Sequence, residues 1–287
     1  MEQNRVKRHH RKRLIKKIIS YILSFILSLC ITALLFLLGI KAGVFNSSVI
    51  TGQLNKTNYY AELSDTLYEN IADALMPTGL PEEVLDGVID GDRMYIDAKN
   101  SIEAAFLGKE YTADTSYLED AFRANIESYI VEDNVEATDE TEEGVQTLVD
   151  EITEEYNSLI EFPFVEYFIK YQAAYNDIFA YGVIIMLVLI LIICAALIAM
   201  QHWAHRGVRY ISYGVLAAAV MTGAAPLYIK LSGAYKSLNI SPRYLYNLLV
   251  AIIEQDIDVF LYLAAGAIVI FGMCMGIIHM LKKRAQE

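Results

Sequence analysis

Four long apolar runs constrain the fold of this chain more than any other feature of its sequence. They are residues 18–40, 178–200, 210–229 and 259–281, and none contains Asp, Glu, Lys or Arg. At about 1.5 Å per residue in a helix, each run is about 30 Å or longer, enough to cross the hydrocarbon core of a bilayer. The composition agrees, because 55% of the 287 residues are hydrophobic. The sequence therefore predicts an all-α membrane protein with four transmembrane helices.

Acidic and basic residues are segregated along the chain. Residues 45–178 hold 30 of the 35 acids and only six of the 23 Lys and Arg residues, whereas residues 1–17 hold eight of these bases. Two more bases lie in 201–209 and three in 282–287. Bases in short segments mark the cytoplasmic side of a membrane protein. We therefore expect a multi-pass protein of the cell membrane with both termini in the cytoplasm.

These two patterns predict the order of segments along the chain. They are a basic cytoplasmic tail (1–17), a first span (18–40), an acidic extracytoplasmic domain (41–177), a second span (178–200), a cytoplasmic turn (201–209), a third span (210–229), an extracytoplasmic loop with an amphipathic helix (230–258), a fourth span (259–281) and a cytoplasmic tail (282–287). The first run is too long for a cleaved signal and lacks a clear cleavage site, which favours an uncleaved anchor. A topology signal explains the basic tail better than a nucleic-acid-binding segment does.

The acidic segment has helical rather than β periodicity. Apolar residues recur at helical spacing in 60–75, and Pro77 and Gly79 predict the end of that helix. Further starts are predicted at Pro81 and at Ser116, where Ser116 and Glu119 have the spacing of a capping box, and Gly108 predicts another end. Residues 132–143 are expected to be an exposed loop, followed by a helix from about residue 144. The segment therefore predicts a helical bundle inserted between spans 1 and 2.

Small residues in the spans predict where the helices pack together. Ser20, Ser24, Ser28 and Thr32 recur every fourth residue, which predicts a helix-packing face, with a polar permeation path as the less favoured alternative. In the fourth span, Gly272 and Gly276 predict a second close contact. The chain is thus expected to contact lipid and either a protein partner or further copies of itself through its spans.

Two sets of residues invite a metal-binding interpretation. A calcium loop beginning at Asp90 requires an oxygen ligand, a glycine and a glutamate where Met94, Tyr95 and Ser101 stand, so residues 86–97 are more simply an inter-helix turn. His202 and His205 have no carboxylate or cysteine companion in their turn. No metal or cofactor is therefore assigned.

No sequence motif indicates catalysis. The chain contains neither a phosphate-binding loop nor a nucleophile elbow, and the predicted spans contain no charged residue of the kind used by ion-coupled carriers. The three cysteines, Cys30, Cys194 and Cys274, all lie in apolar runs. We therefore expect a non-enzymatic protein with no catalytic residue.

The function expected from these features is binding. The extracytoplasmic helical domain would bind a ligand or a protein partner in envelope sensing, scaffolding or assembly. The alternative is a permease or accessory subunit that works with a separate ATPase. In layout alone, one span, a large exterior domain and three further spans, the chain resembles FtsX-like and MacB-like permeases, which implies such an ATPase partner. A sensor with its own cytoplasmic output domain is disfavoured by the short terminal tails.

Overall fold

The computed structural model describes residues 2–132, 139–161, 165–201 and 203–284, with side chains described over 14–131, 142–161, 167–201 and 203–283. These residues form α-helices, short 3-10 turns and connecting loops, and they contain no β-strand. The predicted all-α class is therefore confirmed for the described part of the chain.

The helices are, in chain order, α1 (Glu2–Ala42), α2 (Ser47–Lys56), α3 (Tyr59–Leu75), α4 (Gly91–Phe106), α5 (Ser116–Glu132), α6 (Asp139–Ile160), α7 (Val165–Ala199), α8 (Ala204–Ser232) and α9 (Arg243–Arg284). Short 3-10 turns at Met76–Thr78, Glu82–Leu85 and Ala234–Ser237 complete the regular structure of the described residues.

Four of these helices are long and apolar enough to cross a membrane. Their candidate spans are Leu14–Ala42 in α1, Tyr167–Ala199 in α7, Ala204–Ser232 in α8 and Arg243–Lys283 in α9. Three of them contain a whole predicted apolar run, and Tyr167–Ala199 contains the run 178–200 except for its last residue, Met200. The number of predicted spans is thus confirmed at the level of helix length and composition.

The chain forms two compact units. The spanning unit comprises residues 1–46, 175–238 and 252–287, and the helical unit comprises residues 47–174 and 239–251. The helical unit therefore contains α2–α6, the first turns of α7 and the beginning of α9. The amphipathic stretch predicted within 230–258 contributes its central residues to this unit.

A serine stripe joins α1 to α8 in the spanning unit. Ser20, Ser24 and Ser28 are all buried. The Ser24 hydroxyl donates a 2.7 Å hydrogen bond to the Tyr210 carbonyl, and a Cβ added at Gly214 would lie only 3.0 Å from the Ser24 carbonyl oxygen. Such close approach of two helix backbones requires small residues. The stripe is therefore a packing face, as the sequence predicts.

The helical unit has a hydrophobic core of its own. Its fully buried side chains come from each of the helices α3 to α6 and from the 3-10 turn at Glu82–Leu85. They include Leu63, Leu67, Leu85, Met94, Leu118, Phe122, Ile126 and Tyr156. The helical spacing predicted in 60–75 accounts for Leu63 and Leu67 of this set. Gly108 ends α4 with φ of 69°, and its N–H and that of Lys109 bond back to the carbonyls of Ala105 and Ala104.

Several predicted helix boundaries are wrong. Pro81 precedes a single 3-10 turn, and the following α-helix begins at Gly91 with the Asp90 carboxylate as its N-cap. The predicted start at Ser116 is confirmed, since α5 begins there, but the capping role is not, because the Ser116 hydroxyl donates to Asp114. Helix α6 begins at Asp139, inside the predicted loop. Acid-rich sequences suit both loops and first helical turns, so composition alone does not separate the two. Residues 133–138 of that loop lie outside the described part of the chain.

The amphipathic helix and the fourth span are one continuous helix. Helix α9 runs for 42 residues from Arg243 to Arg284, whereas the sequence predicts a separate helix before residue 259. The intervening residues, Glu254-Gln255-Asp256-Ile257-Asp258, contain neither Gly nor Pro, so nothing in the backbone interrupts the hydrogen-bond ladder. Charged residues at this point change the environment of the helix without ending it.

Candidate functional site

A carboxylate and two tyrosines hold the helices of the helical unit together. Asp97 of α4 accepts hydrogen bonds from the Tyr111 hydroxyl at 2.8 Å and from the Tyr156 hydroxyl of α6 at 2.6 Å. The Tyr156 ring meets that of Tyr117 edge to face, and the Arg93 guanidinium lies 4.3 Å from the centre of the Tyr117 ring. These contacts join α4, α5 and α6. The cluster is therefore a structural connection inside the unit.

Burial raises the pKa values of tyrosines in the helical unit. The pKa of Tyr156 lies above its ordinary range because of burial, and the neighbouring Asp97 carboxylate adds to the effect. Burial likewise raises the pKa values of Tyr59 and Tyr60. Each of these phenols is neutral over the physiological range, since loss of a proton would leave a poorly solvated charge. They act as hydrogen-bonding and packing groups rather than as acids or bases.

The aspartates of the acidic turn at 86–97 make separate contacts. The Asp90 carboxylate accepts from the N–H groups of Asp92 and Arg93, Asp97 binds the two tyrosines, and the backbone carbonyl of Asp86 accepts from the Asn125 side chain at 2.9 Å. The carboxylates of Asp90 and Asp97 thus have different local roles. Across the described residues no group of three His, Cys, Asp or Glu side chains is close enough to hold a metal ion.

The predicted histidine pair is only partly described. His202 lies outside the described residues, and the His205 ring stacks at 6.2 Å on Trp203. The three cysteines, Cys30, Cys194 and Cys274, are free and partly buried in the spanning helices.

The helical unit has one apolar and two acidic cavities among those its described residues form. The α5–α6 groove, about 340 Å³ in volume, is lined by Thr78, Gly79, Leu80, Ile126, Tyr129, Ile130, Gly144, Val145 and Leu148. A polar cavity of about 350 Å³ on the opposite end of α6 carries Glu110, Glu154 and Glu161. A smaller acidic cavity of about 220 Å³ lies between α3 and α6. Concave surfaces of this size accept a side chain or a small ligand.

The end of α1 is a second candidate site, in the spanning unit. Helix α7 contacts it through the Tyr175 hydroxyl, which donates to the Leu37 carbonyl, and through Asn176, which accepts a 2.9 Å hydrogen bond from Lys41. The ring of Phe45 lies 4.8 Å from that of Tyr175. Tyr175 is thus buried against α1, whereas Tyr171 and Tyr181 of the same helix are exposed.

Helix α9 contacts the same end of α1 through two glycines. A Cβ added at Gly39 would lie 2.5 Å from the Phe260 ring, and one added at Gly43 would overlap the Asp256 carboxylate. Gly39 and Gly43 are four residues apart, as are Asp256 and Phe260, so both pairs lie on single helical faces. We call this contact the glycine notch.

The spacing of Gly39 and Gly43 is a sequence signal for the notch. Gly39 and Gly43 have the Gly-x-x-x-Gly spacing typical of close helix contacts, but Gly43 lies beyond the predicted end of the first span. The predicted contact at Gly272 and Gly276 is not made within the described chain, because no neighbouring atom lies within 4 Å of a Cβ added at either position.

Comparisons with known proteins return no relative of this chain. No protein-family model matches it, and no curated protein or solved structure is similar to it. The function is therefore argued from the described residues alone.

Proposed function

We propose that this chain is a non-catalytic, multi-pass protein of the cell membrane whose helical unit lies outside the membrane and binds a ligand or protein partner. The observation that carries the proposal is the division into a spanning unit and a separately packed helical unit with an apolar groove. The titratable cluster inside the helical unit is occupied by its own hydrogen bonds. A binding role therefore suits the surface better than catalysis does.

The α5–α6 groove is the binding surface that we favour. Ile126 and Leu148 form its buried floor, while Tyr129 and Val145 are partly exposed at its edges. An apolar side chain of a partner that enters the groove would gain binding free energy of about 25 cal/mol for each Å² of apolar surface removed from water. The net charge of the whole chain is −12, and 30 of its 35 acids lie in residues 45–178. A partner with basic residues beside its apolar group therefore fits this surface best.

Groove-filling variants test the proposed function in the intact protein. Val145→Trp fills the groove, and Thr147→Trp places the same side chain at an exposed position of the same helix. We expect the wild type and Thr147→Trp to retain the same component from native membranes, and Val145→Trp to lose it. The purified component should likewise bind the wild type and Thr147→Trp more tightly than Val145→Trp. If all three proteins retain nothing, or bind the component equally, the groove is not the binding surface.

The alternative proposal is an accessory subunit of a transport complex with a separate ATPase. It is supported by the continuity of α9, which contributes residues to both units without a break. Such a helix passes a displacement at one end to the other more effectively than a flexible loop does. Co-purification of an ATPase whose hydrolysis rate changes when this chain is added would favour the alternative over simple binding.

A further inference from the structure

The glycine notch holds a carboxylate that lacks the usual compensation for burial. Oδ1 of Asp256 is buried and has no hydrogen-bond partner among the described residues. The neighbouring N–H of Gly43 does not compensate it, because that group donates a 2.9 Å hydrogen bond to the Gly39 carbonyl. An ionised carboxylate in such a place costs several kcal/mol unless a counter-charge or donor offsets it.

Two cations close to this contact in the chain already have partners. Lys41 of α1, two residues before Gly43, donates to Asn176 and lies 5.9 Å from the centre of the Phe179 ring. Lys230 of α8 forms an ion pair with Asp258, two residues after Asp256. Other titratable residues close in sequence to these contacts are Tyr175, Asp177, Tyr235 and Glu254.

We propose that Asp256 is a proton-binding site: the protonated carboxyl allows α9 to pack into the glycine notch, and ionisation separates α9 from the end of α1. A neutral carboxyl is far less costly to bury than a carboxylate, so close packing and proton binding favour each other. Proton occupancy thereby sets the equilibrium between a packed and an opened notch.

The notch lies beside two of the four points where the chain passes between the units. Gly43 lies four residues before the helical unit begins at residue 47, and Asp256 lies four residues after the spanning unit resumes at residue 252. The proposed opening of the notch therefore takes place close to two of these connections. This inference concerns the spanning unit and does not depend on the α5–α6 groove.

Carbodiimide labelling of the full-length protein in detergent tests proton binding. The O–H of a protonated carboxyl adds across one C=N bond of dicyclohexylcarbodiimide, and the O-acylisourea rearranges to a stable N-acylurea without a leaving group. We expect Asp256 to be modified at least about threefold faster than Glu254 or Asp258, with labelling that falls between about pH 5 and about pH 9. Labelling of Asp256 that does not exceed that of its neighbours, or that is independent of pH, overturns the proposal.

Hydrogen exchange of the α1 end tests the conformational step. At about pH 8 the Asp256→Asn variant, which is permanently neutral, should exchange the amides of residues 43–46 at least about threefold more slowly than the wild type. Glu254→Gln, the matched control, should exchange like the wild type. Equal rates in Asp256→Asn and wild type overturn the coupling of proton binding to notch packing.

Discussion

The hydroxyl of Tyr156 donates a 2.6 Å hydrogen bond to Oδ2 of Asp97, and this contact joins two helices whose residues are 59 positions apart in the chain. Tyr156 is fully buried, so its hydroxyl depends on this acceptor. The other carboxylate oxygen accepts from Tyr111. One side chain of α4 thus satisfies two tyrosines and fixes α6 in the helical unit.

Removal of this hydroxyl should destabilise the helical unit. We expect Tyr156→Phe to lower the free energy of unfolding of the helical unit by about 1–3 kcal/mol, because the partly buried Asp97 carboxylate loses one donor. The matched control is Tyr167→Phe, at an exposed position with 62% relative exposure. Pulse proteolysis of the full-length protein in urea measures the difference, and equal midpoints for the two variants would contradict this account of the cluster.

The helical unit should lose stability at alkaline pH. The pKa values of Tyr59, Tyr60 and Tyr156 are raised above the ordinary value of 10.0. Above about pH 10 the folded state therefore binds more protons than the unfolded chain, and the free energy of unfolding falls as pH rises. Below about pH 10 this contribution is fully present.

The urea midpoint measured as a function of pH checks this expectation. It should decline from about pH 10 upward in the wild type, and less steeply in Tyr156→Phe, which removes one of the titrating groups. A midpoint that is unchanged over the alkaline range in the wild type would show that these phenols titrate alike in the folded and unfolded chains.

The contact between α1 and α8 should depend on the small size of Gly214. A Cβ at this position would lie 3.0 Å from the Ser24 carbonyl and 3.1 Å from the Leu27 side chain. We expect Gly214→Val to destabilise the spanning unit by about 1–3 kcal/mol through overpacking. Gly266→Val is the control, since nothing lies within 4 Å of its added Cβ. The temperature at which the protein in detergent loses its monodispersity should fall for Gly214→Val and stay unchanged for the control.

The open glycines of α9 are the proposed contact between copies of this chain. Gly272 and Gly276 lie on one helical face and are exposed within the single chain. If that face joins two copies, the double variant Gly272→Leu, Gly276→Leu should reduce energy transfer between labelled copies in a bilayer. Gly266→Leu, on another face of the helix, is the control. The same transfer in both variants would exclude this face as the contact.

The sequence predicts the spans and the helical periodicity well because both depend on local patterns. A run such as 178–200 is long enough by itself to indicate a span, and the spacing of Leu63, Leu67 and Ile71 defines a face without reference to other helices. The serine stripe belongs to the same class, since its four-residue period is read from one helix alone.

Contacts between distant segments are not predictable in this way. Nothing near Asp97 in the sequence indicates that Tyr156 binds it, and nothing near Gly43 indicates Asp256. The continuity of α9 was missed because the change from amphipathic to apolar character at Asp258 suggests a boundary, although the backbone has none. A change in hydrophobicity along a helix indicates a change in its surroundings, whereas Gly and Pro indicate where the helix ends.

We propose that the helical unit lies on the extracytoplasmic side of the membrane and that the α7–α8 turn lies in the cytoplasm. In a chain whose three native cysteines are replaced by serine, Thr147→Cys and Ala204→Cys place single thiols at exposed positions of the helical unit and of that turn. A membrane-impermeant maleimide applied to intact cells should label position 147 at once and position 204 only after lysis. Labelling of position 204, with protection of position 147, in intact cells would contradict the account.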